Sequence, residues 1–164
     1  MEVGTSSVLM LPYTASSVGV ARRRLIGDLS EAGVFEATAC DAGLVLSELI
    51  SNALRHATPL PGCVVRVAWW LDDDCLEIAV SDGGGPTVPV VTEPGHSAIG
   101  GRGLGIVDRL ALRWGAYSAA DGDGETTVWA ELALSHDRAD EHSDAGHSTD
   151  RQPRRLVITS SRDA

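Results

Sequence analysis

The segment from Leu44 to Ala57 constrains the fold of this chain most, because its apolar residues recur at the spacing of an α-helix. Two polar residues, Glu48 and Asn52, stand four positions apart within it. At 3.6 residues per turn, they lie about 40° apart around the helix axis, one turn above each other. A carboxylate and a carboxamide beside an apolar stripe are costly to bury without partners. The pair therefore predicts a site for a hard cation or a reacting hydroxyl on this helix.

Composition excludes several classes of function. The chain has 164 residues, enough for one domain with a buried core, and a net charge of −10. All thirteen basic residues are arginine, and a Walker-type phosphate loop needs a lysine, so that loop is excluded. The acidic balance argues against direct nucleic-acid binding. No apolar run reaches the ~20 residues of a membrane span and no signal peptide is evident, so we expect a cytoplasmic protein without a membrane segment.

Hydrophobic periodicity predicts a succession of strands and helices over residues 7–134. We expect strands at 7–13, 63–71, 75–81, 113–120 and 126–134, and helices at about 17–32, 36–57 and 104–111. Residues 82–102 are rich in glycine and proline and have no periodic pattern, which is typical of a functional loop or lid. We therefore expect one domain over residues 1–134, followed by a disordered polar tail over 135–164.

Three glycine-containing segments follow the helix of Glu48 and carry further chemistry. In the first, Asp82-Gly83-Gly84-Gly85, the carboxylate either caps a turn or accepts a hydrogen bond from an exocyclic amine such as that of adenine. The second, Gly101-Arg102-Gly103-Leu104-Gly105, begins a helix, where free N–H groups and the helix dipole form an anion site. In the third, residues 124–129, Thr127 either bonds a base or is simply a strand former after a turn.

Taken in order, these segments resemble the boxes of the GHKL ATPase superfamily, the group that includes DNA gyrase B and the histidine kinases. The N box is residues 48–57, the glycine boxes are 82–85 and 101–105, and the last box is 124–129. Within that group, residues 7–134 look most like the small bacterial anti-sigma-factor serine/threonine kinases. The resemblance implies a Bergerat-type two-layer α/β sandwich, in which helices cover one face of a mixed sheet and ATP lies between helices and a lid.

The resemblance also implies a role for each matching residue, with ATP and Mg²⁺ as cofactors. Asn52 would ligate Mg²⁺, and Glu48 would be the general base in the attack on the γ-phosphate. Asp82 would bind the adenine amine, and Thr127 would support the base-binding end. His56, one turn beyond Asn52, is interpreted as a packed helix-end histidine. The remaining nucleotide-binding positions are Gly84, Gly101, Arg102, Gly103, Leu104 and Gly105.

The implied function is that of an anti-sigma factor and serine/threonine kinase that phosphorylates an STAS-type anti-anti-sigma protein, with a homodimer as its assembly. An alternative is an ATP-binding partner switch without phosphoryl transfer, because Pro86 departs from the usual Asp-x-Gly-x-Gly box. The catalytic half of a two-component histidine kinase is disfavoured, since the residues before Glu48 include no histidine and no long helical hairpin.

Overall fold

A computed structural model describes residues 5–85, 102–118 and 124–136 of the chain. Every predicted strand and helix is present there, with ends that differ from the expected ones by about two residues or fewer. The elements are β1 (Thr5–Pro12), α1 (Ser16–Glu31), α2 (Glu36–His56), β2 (Val64–Leu71), β3 (Cys75–Asp82), α3 (Arg102–Leu110), β4 (Arg113–Ser118) and β5 (Thr126–Ala133).

The five strands form one sheet in the order β1-β2-β3-β5-β4. All four neighbouring pairs in the described part of the chain are antiparallel. The α/β sandwich is confirmed, but the expected mixed sheet is wrong. After β3, the next described elements are α3 and β4, and β4 runs in the same direction as β3. However, β5 folds back from β4 and lies between them, so that no parallel neighbours result.

The three helices cover one face of the sheet, as expected. Alternate residues of β2 and β3 point toward the helices, and Val67, Trp69 and Ile78 are fully buried among them. From α2, Leu49 and Ile50 meet this layer at the helical spacing noted in the sequence. Each such aliphatic side chain contributes roughly 1.5–3 kcal/mol when it leaves water. The apolar stripe of α2 therefore packs in the core, and the polar residues beside the stripe take no part in that packing.

The opposite face, which we call the open face, carries the other alternate residues of the strands. Two ion pairs lie on it or at its edge, Arg66 with Glu125 and Arg113 with Glu131. Glu77 stands opposite Glu131 in the β3–β5 ladder. Burial raises the pKa of Glu77, the charge of Glu131 raises it further, and Arg113 partly opposes both. This face therefore holds charges that are only half exposed to solvent.

The end of the described chain returns to the helices. The Phe35 N–H, just before α2, donates to the Ser135 carbonyl at 2.9 Å, and Val34 forms a bridge with His136. Most of the predicted tail, from residue 137 on, lies outside the described residues, so its disorder remains a prediction. None of the helices in the described ranges is long and apolar enough to span a bilayer.

Candidate functional site

A cavity opens where the carboxyl end of α2 meets the end of β3 and the start of β5. It contains three of the residues that the sequence singled out, Asn52, Asp82 and Gly84. The full lining is Asn52, Ala53, His56, Ala57, Asp82, Gly84, Gly85, Thr126 and Val128.

The last turn of α2 forms one wall of the cavity and is held by Tyr13, which sequence reasoning missed. The Tyr13 hydroxyl lies 2.6 Å from the carbonyl oxygens of both Ala53 and Ala57. Burial raises the pKa of this phenol, and the nearby Asp82 carboxylate and Cys63 raise it further, so the hydroxyl keeps its proton as a donor. A single tyrosine after an edge strand has no sequence signature that would assign it to this role.

The glycine loop after β3 forms a second wall and is fastened to the residues that follow α2. The Thr58 N–H donates to the Gly84 carbonyl at 2.8 Å, and the Gly83 N–H donates to the Thr58 carbonyl at 2.8 Å. A Cβ atom at Gly85 would collide with the His56 carbonyl. Glycine is therefore required here because two backbone segments approach too closely for a side chain.

Asp82 is the buried charge of the site, with 4% of its surface exposed. The Gly84 N–H donates to its Oδ1 at 2.7 Å. Burial raises the pKa of Asp82, and the hydrogen bond from Gly84 partly opposes that shift. A carboxylate has about four acceptor positions, so it can take further donors from a ligand. A raised pKa in a cavity is the pattern expected of a functional carboxylate.

Thr126, and not Thr127, stands beside Asp82. Thr126 pairs with Asp82 in the β3–β5 ladder and lines the cavity. Thr127 points to the open face, where its hydroxyl lies 2.7 Å from that of Ser81. Thr127 therefore lies on the face of the sheet opposite the cavity, and the role that the resemblance implied for it at the base remains a prediction. The reason is the two-residue period of a strand, which turns neighbouring side chains to opposite faces.

Glu48 and Asn52 do lie on successive turns of α2, as predicted. Asn52 lines the cavity, whereas Glu48 is half-buried one turn away, about 6 Å along the helix axis, and does not. His56 is exposed and lines the cavity, so its interpretation as a packed histidine is wrong. In the last turn of α2, Ala53 still packs in the core, whereas the exposed His56 lies at the cavity.

The second glycine box lies at the start of α3, which begins at Arg102, two residues earlier than expected. Gly103, Leu104 and Gly105 therefore belong to the first turn, whose N–H groups have no partners within a helix. Leu104 packs against the core. Gly101 and the predicted lid lie outside the described residues. A helix thus begins at the second glycine box, as expected, and phosphate binding at its start remains a prediction.

Comparison with known proteins agrees with this arrangement. Residues 11–132 match the family model described as the histidine kinase-like ATPase domain. The chain belongs to the histidine kinase-like ATPase domain family. The resemblance to GHKL ATPases is thereby confirmed, and ATP is the ligand that this family implies. No curated protein sequence matches the chain.

A solved structure shows the same fold as this histidine kinase-like ATPase domain. It is the crystal structure of the RsbU and RsbW domains of Rv1364c from Mycobacterium tuberculosis, with a TM-score of 0.60 and 21% sequence identity. The match covers 79% of this chain but only 32% of the solved chain. The likeness therefore concerns the fold, and the present chain corresponds to about a third of that larger protein.

The residues present fit the nucleotide that the family implies. The buried Asp82 carboxylate can accept from an exocyclic amine, and Gly84 and Gly85 beside it present backbone to the cavity and no side chains. The described residues hold no cluster of three or more His, Cys, Asp or Glu side chains that could bind a metal ion. Mg²⁺ usually binds through one or two protein oxygens and the phosphates, a requirement that the Asn52 carboxamide meets.

Proposed function

We propose that this protein is an ATP-dependent serine/threonine kinase that binds a sigma factor and phosphorylates an STAS-type anti-anti-sigma protein in the cytoplasm. The observation that supports the proposal is the order of polar groups from the end of β3 along α2. Asp82 and Asn52 share the cavity, and Glu48 follows one turn farther along α2. That order suits a nucleotide whose base lies at Asp82 and whose phosphates extend toward Glu48.

Each residue then has a separate task. Asp82 and Thr126 bind and orient the base, and the first turn of α3 holds phosphate oxygens. Asn52 contributes one oxygen ligand to Mg²⁺. When bound, ATP would supply the phosphoryl group, and Mg²⁺ would neutralise the negative charge of the phosphates during transfer. Glu48 accepts the proton of the substrate hydroxyl, the usual part of a general base.

A phosphorylation assay with Mg-ATP and the cognate antagonist tests this proposal. Glu48→Gln should lower the rate of phosphoserine or phosphothreonine formation by about 100-fold or more, which is typical of a lost general base. Its dissociation constant for ATP should stay close to that of the wild type. Asp41→Asn is a matched control, because Asp41 is an exposed acid on the same helix. Equal rates for the wild type and Glu48→Gln would refute the catalytic role.

A second candidate is an ATP-binding partner switch that transfers no phosphoryl group. It is favoured by one observation, that Glu48 does not line the cavity formed by the described residues. Calorimetry with ATP followed by a single-turnover assay separates the two functions. Tight binding without product in a full turnover period would support the switch, and stoichiometric phosphoryl transfer would support the kinase.

Self-association is also part of the proposal. On the open face, the edge strand β1 exposes Val8 and Met10 to 51% and 54%, and exposed apolar groups of this kind mark interaction surfaces. We propose a homodimer that covers them. Light scattering should give twice the monomer mass for the wild type, and the mass of a monomer for Met10→Glu. A monomeric wild type at all accessible concentrations would exclude the dimer.

A further inference from the structure

We propose that the ion pair between Arg66 and Glu125 positions the turn at Gly124 against the nucleotide site on the other side of the sheet. Arg66 and Glu125 are then positioning residues that contact no ligand. The inference rests on the proposed nucleotide site but goes beyond it, because no box of the superfamily motif includes Arg66.

The ion pair between Arg66 and Glu125 is largely shielded from water, so its two side chains are held in place. Arg66 lies on β2, where its Nη2 donates to the Glu125 carboxylate. The two side chains are only 18% and 28% exposed. The Nε of Arg66 is buried and has no hydrogen-bond partner among the described residues. Burial lowers the pKa of Arg66, and the nearby Tyr117 partly opposes this shift. Glu125 is thus the acidic partner of a guanidinium that is held in place.

Glu125 sits at the point where the turn passes into β5. It is preceded by Gly124, which has a φ of 73°, and followed by Thr126 of the cavity. The carbonyl of Gly124 lies so close to Gly84 that a Cβ atom there would collide with it. The backbone position of Gly124 therefore limits where the glycine loop can lie.

Gly84 links the backbone of Gly124 to the ligand-binding groups through its own hydrogen bonds. Its N–H donates to Asp82 Oδ1 at 2.7 Å, and its carbonyl accepts from the Thr58 N–H at 2.8 Å. A continuous series of contacts thus runs from Arg66 through the Gly124 turn to Asp82. Restraints of this kind matter because small displacements of a preorganised site lower affinity even when every ligand contact is retained.

The two members of the pair allow position to be separated from charge. In Arg66→Met, the turn loses its restraint and Glu125 keeps an uncompensated negative charge near an anionic ligand. In Glu125→Gln, the restraint is weakened but no negative charge is added. A positional role therefore weakens nucleotide binding in both variants, whereas a purely electrostatic role weakens it in Arg66→Met alone.

The chain offers a matched control. Arg113 and Glu131 form another half-buried arginine–glutamate pair at the opposite end of β5. Arg113→Met removes the same type of interaction from the same face of the sheet. However, it leaves the Gly124 turn and Arg66 unchanged, so it reports the general cost of losing such a pair.

The experiment is calorimetric titration of the full chain with Mg-ADP and Mg-ATP, with the ligand-free unfolding midpoint measured for each variant. We expect Arg66→Met and Glu125→Gln to raise the dissociation constant about tenfold, the lower end of what outer-shell support contributes in metal sites. Arg113→Met should stay within about twofold of the wild type, as changes far from a site usually do. The exchanged double variant Arg66→Glu/Glu125→Arg should recover a large part of the loss.

The possible outcomes are distinct. Wild-type affinity in both Arg66→Met and Glu125→Gln, or an equal loss in Arg113→Met, would overturn the inference and leave the nucleotide site intact. A loss in Arg66→Met alone would overturn the positional role. If Arg66→Met does not fold, the nearly isosteric Glu125→Gln decides the matter. A wild-type protein that binds neither nucleotide would overturn the proposed function itself, and this inference with it.

Discussion

Two adjacent residue pairs, or rungs, of the β3–β5 ladder show how the two faces of the sheet differ. The rung of Asp82 and Thr126 faces the helices and lines the cavity, whereas the rung of Ser81 and Thr127 faces away from it. The second rung is satisfied by its own hydroxyl–hydroxyl contact of 2.7 Å. In the first, Asp82 is buried with a raised pKa and has acceptor positions to spare. A single step along β3 thus separates the Ser81 hydroxyl, which is paired with that of Thr127, from the Asp82 carboxylate, which has acceptor positions that a ligand can use. The Thr126 hydroxyl beside Asp82 lies 3.3 Å from that of Ser118.

Among the variants that test this comparison, Asp82→Asn should have the largest effect on ATP binding. Loss of a charge-assisted hydrogen bond should weaken ATP binding by roughly 10- to 100-fold, measured by calorimetry. Because burial raises the pKa of Asp82, folding is less favourable with its charged form than with its neutral form when no ligand is bound. The same variant should therefore unfold at a higher temperature than the wild type near neutral pH.

Ser81→Ala is the control from the other rung. It leaves Thr127 without its hydroxyl partner and should cost about 1–3 kcal/mol in unfolding free energy, with little effect on ATP affinity. If Ser81→Ala weakened binding as much as Asp82→Asn, the two faces would not differ in the way described.

The pH dependence of binding sharpens the same contrast. Only the ionised Asp82 can accept at both oxygens, so ATP affinity should fall as the pH decreases through its raised pKa. The loss should approach that of Asp82→Asn at acidic pH. Calorimetry across the acidic range checks this, and Asp82→Asn should show a flatter profile. An unchanged slope in that variant would assign the titration to another group.

Thr126→Val and Thr127→Val form the next test, with a smaller effect. Removal of one neutral hydrogen bond at Thr126 should weaken ATP binding by roughly 3- to 10-fold. Thr127→Val should leave affinity unchanged and lower the unfolding midpoint, because Ser81 then lacks its partner. Both variants keep a β-branched shape, so strand propensity is matched. The reverse result would restore Thr127 to the role that the motif resemblance implied.

The smallest effect concerns the open face alone. The pKa of Glu77 is raised, so the stability of the fold should decrease as pH rises through that pKa. Glu77→Gln should raise the unfolding free energy at neutral pH by less than about 1 kcal/mol, since solvent screens half-buried charges. Of the groups around it, Glu131 opposes the charge of Glu77 and Arg113 supports it. Thermal unfolding at several pH values tests this, and ATP affinity should not change.

Much of this architecture could be read from the sequence because its signals are local. The apolar stripe of α2 and the alternation in β2 and β3 each specify an element without reference to the rest of the chain. Thr126 and Thr127 show how a motif resemblance can conflict with the two-residue period of a strand. Val128, Ala130 and Leu132 alternate as the buried set of β5, and counting back along them reaches Thr126. The alternation in β5 therefore indicates that Thr126 faces the helices, whereas the motif resemblance favoured Thr127.

Other features could not be read in that way. Nothing local to β3 or β5 indicates that they are neighbours, so the antiparallel order depends on how the hairpin of β4 and β5 docks. Arg66 and Glu125 are similarly distant in the sequence, 59 positions apart. Tyr13 and Ala53 are 40 positions apart, and their contact follows from the assembled sheet and helices.

The β3–β5 ladder also has a consequence for the order of folding. Its two halves, Asp82 and Thr126, belong to strands separated by a helix and another strand, so the cavity closes only after this long-range pairing. Closing such loops is slow compared with forming helices or the β2–β3 hairpin. We therefore expect nucleotide to slow unfolding more than it accelerates folding, because the folding transition state would not yet contain its binding site. Stopped-flow kinetics with and without Mg-ADP would show this as a larger shift of the unfolding limb than of the folding limb.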